Sequence, residues 1–134
     1  FDMVMIPGAG EYSHMLMEAA AGGNADLLLY EGCAYTGGTA DTVYNQKRSS
    51  TATWNGQLIL GATITDVGTE LSVQVLPGGR KNQASGGGTD FNLEWILKAQ
   101  TAYLIRLTNR SGSAIRASIG CNHYTAGLIP DSTT

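Results

Sequence analysis

Charge is scarce in this chain. Only 14% of its 134 residues are Asp, Glu, Lys or Arg, and the net charge is −3. Its basic residues, Lys47, Arg48, Arg80, Lys81, Lys98, Arg106, Arg110 and Arg116, are scattered. Nucleic-acid affinity rests largely on a basic patch facing phosphates, so no nucleic-acid partner is expected. No run reaches the roughly eighteen apolar residues of a membrane-spanning helix, and no signal peptide is recognisable. Cysteine and histidine occur twice each, as Cys33, Cys121, His14 and His123, without the Cys-x-x-Cys spacing of a metal site. Neither histidine has an acidic residue at a spacing that announces a triad. The carboxylates are dispersed, with no sign of a facing pair. No glycine stretch carries the spacing of a phosphate loop. No cofactor, no metal and no catalytic residue are therefore expected, and the chain is read as a non-enzyme.

What is present speaks for an ordered β-protein. Apolar residues make up 43% of the chain, too many for general disorder, and the length suits one domain over residues 1–134. Low charge favours a surface that meets other protein. Glycine, at 18 residues, recurs between short apolar runs, the rhythm of strands joined by tight turns. Strands are predicted at Met3–Ile6, His14–Ala19, Ala25–Glu31, Ala52–Trp54, Leu58–Ile64, Leu71–Leu76, Glu94–Leu97, Tyr103–Thr108 and Ile115–Asn122. Ser13–Ala21 has the composition and caps of a short helix, yet Met15 and Met17 also alternate with His14, Leu16 and Glu18, so the residues by themselves leave helix and strand open. In Leu71–Leu76, Leu71, Val73 and Val75 alternate with Ser72 and Gln74, which places the valines inward. Tyr103–Thr108 and Ile115–Asn122 flank the turn formers Asn109–Ser113 and are expected to pair as a hairpin. The favoured state of Cys33 and Cys121 is two buried reduced thiols, with a disulfide as the alternative.

A resemblance to a known family runs through about three-quarters of the chain. It is carried by LLLYEG at Leu27–Gly32, Gly37-Gly38-Thr39-Ala40, Tyr44-Asn45-Gln46-Lys47-Arg48-Ser49-Ser50, EWILK from Glu94, and YLIRLTNRSGSA from Tyr103. In that order these runs resemble a family of small tailed-phage virion proteins, the capsid decoration or cement proteins. The resemblance implies an all-β fold, an antiparallel jelly-roll-like sandwich, and for that reason strand is preferred for Ser13–Ala21. It also implies a non-covalent structural role on the capsid surface of a virion. The implied partners are the major capsid protein and further copies of the chain, as trimers or dimers. The chain begins at Phe1 rather than Met, as expected of a processed or partial chain.

Two segments stand out as contacts. The apolar residues Phe1, Met3, Val4, Met5 and Ile6 suggest an N-terminal arm within residues 1–10, free to add to a neighbour's sheet. The glycine-rich loop Pro77–Asp90, with Arg80 and Lys81, is the second contact, and residues 125–134 are expected to form a tail. The alternative function is a carbohydrate-binding or adhesive sandwich. Trp54 would then be its exposed aromatic, because it precedes the turn signal Asn55-Gly56. Trp95, in phase with Leu93 and Leu97, is expected in the core. His123 is expected at the surface or rim.

Overall fold

The structure is a computed structural model that describes residues 1–77 and 94–127. Its described residues form eleven strands and no helix: β1 (Asp2–Ile6), β2 (Glu11–Ala21), β3 (Ala25–Glu31), β4 (Ala34–Thr36), β5 (Thr39–Asp41), β6 (Gln57–Leu60), β7 (Thr63–Asp66), β8 (Thr69–Leu76), β9 (Glu94–Leu97), β10 (Tyr103–Asn109) and β11 (Ala117–Gly127). All pairings are antiparallel. A six-stranded sheet runs in the order β5-β6-β1-β10-β3-β8, a three-stranded sheet in the order β11-β2-β9, and β4 pairs with β7. The chain is thus an all-β antiparallel sandwich.

Strand periodicity builds the layers. On one face of the six-stranded sheet, Met3 and Met5 of β1, Leu27 and Leu29 of β3, and Tyr103 and Ile105 of β10 are buried against Met15, Met17, Ala19 and Ala21 of β2. On the other face, Val4, Ile59 and Leu104 meet Cys33, Tyr35, Ile64 and Val67 from the β4–β7 layer. The central sheet is therefore covered on both sides, which accounts for the continuous apolar runs of β1 and the start of β10. The Tyr103 hydroxyl donates to Glu31 Oε2 at 2.8 Å and accepts from the Lys98 amide at 2.8 Å. Burial pushes its pKa up to about 12. Asp2 and Arg106, cross-strand partners, form a two-pronged ion pair at 2.7 and 3.0 Å. The Arg106 hydrogen bonds hold the Asp2 carboxyl below its usual pKa.

The Ser13–Ala21 ambiguity resolves as strand. Met15, Met17, Ala19 and Ala21 are buried on alternate positions, and β2 pairs with β11 along its whole length. A helix would have rotated this two-residue period around its axis. Cys33 and Cys121 are free thiols in different apolar clusters.

Four expectations need correction. First, Asp2–Ile6 is no arm: β1 lies inside the sheet between β6 and β10, with Val4 and Met5 only 1% and 2% exposed. Its apolar residues find their neighbours within the chain. Second, β10 and β11 do not form a hairpin. Both flanks of β10 are taken by β1 and β3, and β11 pairs with β2 in the other sheet. The Asn109 side chain accepts from the Ser111 amide at 2.9 Å and donates to the Ser113 carbonyl at 2.7 Å. That bend carries the chain between layers. It runs beside the β2–β3 corner, to which it is tied by Gly22 N–H to the Arg116 carbonyl and Arg110 N–H to the Asn24 carbonyl.

Third, β8 is phased opposite to its sequence pattern. Its register with β3 shifts between Leu29 and Tyr30. A bulge changes which side chains face the core. Gln74 is opposite buried Leu27 and points its buried, unpaired Oε1 inward, while Val73 and Val75 are exposed. Fourth, Ala52–Trp54 is not a strand, and Leu58–Ile64 is broken at Gly61, whose φ of 73° interrupts the extended run before β7. Of the expected tail, residues 125–127 belong to β11, and the rest lies outside the described residues. The glycine-rich loop with Arg80 and Lys81 lies outside the described residues, as does Leu93.

Candidate binding groove and exposed edges

The segment between β5 and β6, residues 42–56, has no regular structure and lies beside β11. Its shape is fixed locally. Asn45 accepts from the Lys47 amide at 2.9 Å and donates to the Ala52 carbonyl at 3.2 Å, and Ser50 Oγ accepts from the Ala52 amide at 3.1 Å. Asn and Ser favour such local side-chain bonds to backbone. The segment and β11 enclose a groove of about 340 Å³, lined by residues including Tyr44, Gln46, Trp54, Asn122, His123 and Tyr124.

Trp54 forms part of this groove and is not the freely exposed aromatic that its turn position suggested. Its indole packs against the core and stacks on the His123 ring, centroids 4.9 Å apart and planes 27° apart. Gly56 makes that position possible, since a Cβ there would lie 2.4 Å from the indole and 2.6 Å from the Ile6 carbonyl oxygen. The Trp54 Nε1 is buried without a hydrogen-bond partner.

His123, expected at the surface or rim, is half-buried on the groove wall, and Ser13 Oγ lies 3.3 Å from its Nδ1. Burial pushes its pKa down to about 4, so its imidazole is neutral at pH 7. Ser13 is only 1% exposed, and a substrate carbonyl has no approach to its Oγ in this arrangement.

The outer face of the three-stranded sheet holds a second cluster. The His14 and Tyr124 rings stack at 4.6 Å, and the Glu94 carboxylate is bonded to both His14 Nδ1 and the Tyr124 hydroxyl. The Tyr124 bond, then the His14 bond, lowers the Glu94 pKa, and the same contact raises that of Tyr124. Sequence spacing gave no sign of this group, because β2, β9 and β11 bring together residues from three distant segments. Among the described residues no group of three or more His, Cys, Asp or Glu is placed to hold a metal ion. No described helix is long and apolar enough to cross a membrane.

No family profile, curated protein or solved structure matches this chain. The motifs of the virion-protein resemblance fall on β3, the β4–β5 turn, the 42–56 segment, β9 and β10. Several of their side chains, such as Leu27, Leu29, Leu97, Tyr103 and Ile105, are core residues.

The proposed contact residues disperse. Met3, Val4 and Met5 are core, Ile6 packs beside Val4, and Phe1 is exposed. Phe1 and Met3 line an open cleft of about 530 Å³ between the β5–β6 side of the large sheet and the start of β11. Leu58, Leu60, Leu107, Ile115 and Ile119 supply most of its apolar wall. Of the other exposed apolar side chains, Val73, Val75 and Ile96 sit on strands at sheet ends. Val75 on β8 is 72% exposed and Ile96 on β9 is 61% exposed, with Val73 beside Val75.

Proposed function

We propose that this chain is a non-enzymatic virion structural protein, a decoration or cement protein that binds a capsid lattice and reinforces it by protein–protein contact. The observation that carries this reading is the exposure of Val73, Val75 and Ile96 on the terminal strands β8 and β9. Exposed apolar side chains on an edge strand invite pairing with another chain. With β1 committed to the core, these edges replace the N-terminus as the contact surface. The ordered motifs shared with the tailed-phage family support the shell as the partner. The major capsid protein and neighbouring copies are the molecules to be bridged, on the capsid surface of the virion. Each contact is weak alone, and one molecule engaging several subunits raises the cost of separating them.

The test is co-sedimentation of the purified chain with shells assembled from the capsid protein encoded alongside it. Saturable binding is expected, with loss in Val75→Asp and Ile96→Asp variants whose circular dichroism is unchanged. Absence of binding to those shells overturns the virion reading. Binding that both variants retain overturns the edge assignment.

A further inference from the structure

We propose that the groove between residues 42–56 and β11 is a binding site for a neutral saccharide, of one or two pyranose units. The proposal does not rest on the virion reading. The groove's volume of about 340 Å³ falls in the lower part of the range of small-molecule sites, about 300–1,000 Å³. Among the described residues its lining contains no Asp, Glu, Lys or Arg. His123, the one lining side chain that titrates near neutrality, is held uncharged by burial. Arg48 is engaged over the Tyr44 ring and is not among the lining residues, so the lining itself suits an uncharged ligand.

The polar groups that remain match hydroxyls. Gln46 Nε2 donates to Asn122 Oδ1 at 3.1 Å. Each planar amide has both an acceptor oxygen and an NH₂ donor. Their mutual bond still leaves the Gln46 carbonyl as an acceptor and the Asn122 NH₂ as a donor for a ligand. A hydroxyl both donates and accepts, so adjacent hydroxyls of a sugar ring satisfy such a pair.

The apolar part of the lining suits the C–H face of a pyranose. Tyr44 is 70% exposed and is steadied by the Arg48 guanidinium 5.3 Å above its ring. Tyr124, half-exposed, is fixed by its stack on His14 and its bond to Glu94. The wall is also shaped in advance by the Asn45 and Ser50 bonds to backbone. Such preorganisation lowers the entropy lost on binding.

The experiment is calorimetric titration of the whole chain. The probes are uncharged gluco-, galacto-, manno- and N-acetylhexosamine mono- and disaccharides, with adenosine and a blocked dipeptide as the competing classes. One sugar configuration is expected to bind with a change in tryptophan fluorescence. Tyr44→Ala and Gln46→Ala, both at exposed positions, are expected to weaken that binding by about tenfold each while leaving the thermal melt unchanged. The proposal is overturned if no saccharide in the panel binds. It is also overturned if a saccharide binds both variants as well as the parent, or if adenosine or the dipeptide takes the groove in preference to every sugar.

Discussion

Deleting residues 1–6 is expected to unfold the protein. The deletion removes β1 from the middle of the six-stranded sheet, so β6 and β10 lose the strand that joins them. It takes away the buried side chains of Met3, Val4 and Met5. Full burial of one such side chain is worth about 1.5–3 kcal/mol, so the three together represent roughly 5–9 kcal/mol. The Asp2–Arg106 ion pair and two ladders of backbone bonds are lost as well. A domain of this size is stable by only about 5–15 kcal/mol, so the deletion consumes most or all of that margin. Circular dichroism and limited proteolysis of the truncated chain supply the readout. Met5→Ala is the graded version, expected to cost about 2–5 kcal/mol by urea unfolding. Phe1→Ser, at an exposed position, is expected to stay within about 0.5 kcal/mol of the parent. A truncated chain that melts cooperatively within a few degrees of the parent would refute the central placement of β1.

Gly56→Ala is expected to displace the Trp54 indole, because the added Cβ meets both the ring and the Ile6 carbonyl. The cost is about 1–3 kcal/mol, read by urea unfolding with a red shift of tryptophan emission, and an unchanged spectrum would count against the packing described. His123 makes stability depend on acid. Its folded pKa of about 4 lies below its ordinary value of 6.5, so the unfolded chain takes up the proton first. The stabilisation is complete above about pH 6.5 and is lost as pH falls from there towards 4. The loss is on the order of 1–2 kcal/mol once partial exposure is discounted. His123→Gln is expected to flatten that limb of a pH-dependent melting curve, and an unaltered limb would move the cause elsewhere. Dithiothreitol is expected to leave the melting temperature unchanged, since Cys33 and Cys121 are free and lie in different clusters. The Cys121 thiol, pushed up to about 12 by burial, is expected to resist iodoacetamide until the chain unfolds.

The local alternation of β10 was legible in the residues themselves, and that of β2 was visible beside a helix pattern that fitted as well. Side chains one apart on an extended chain point to opposite faces whatever lies next to them. Thus Tyr103 and Ile105 declared one face, Met15 and Met17 were compatible with another, and the unbroken run Leu27–Leu29 fitted a strand covered on both faces. The pairing of strands was not legible. Any strand with one apolar face satisfies alternation, and only packing of the whole chain decides its neighbours. That is why the apparent arm became an inner strand and the apparent β10–β11 hairpin became a crossing between sheets. Even alternation failed in β8, where one shift against β3 turned Val73 and Val75 outward and Gln74 inward. The candidate groove was still further from view. Gln46 meets Asn122, and Trp54 meets His123, across some seventy residues. No spacing rule links them, because the segment that carries Gln46 and Trp54 has no period of its own. Its place is set by contacts with β11 that exist only after both sheets have formed.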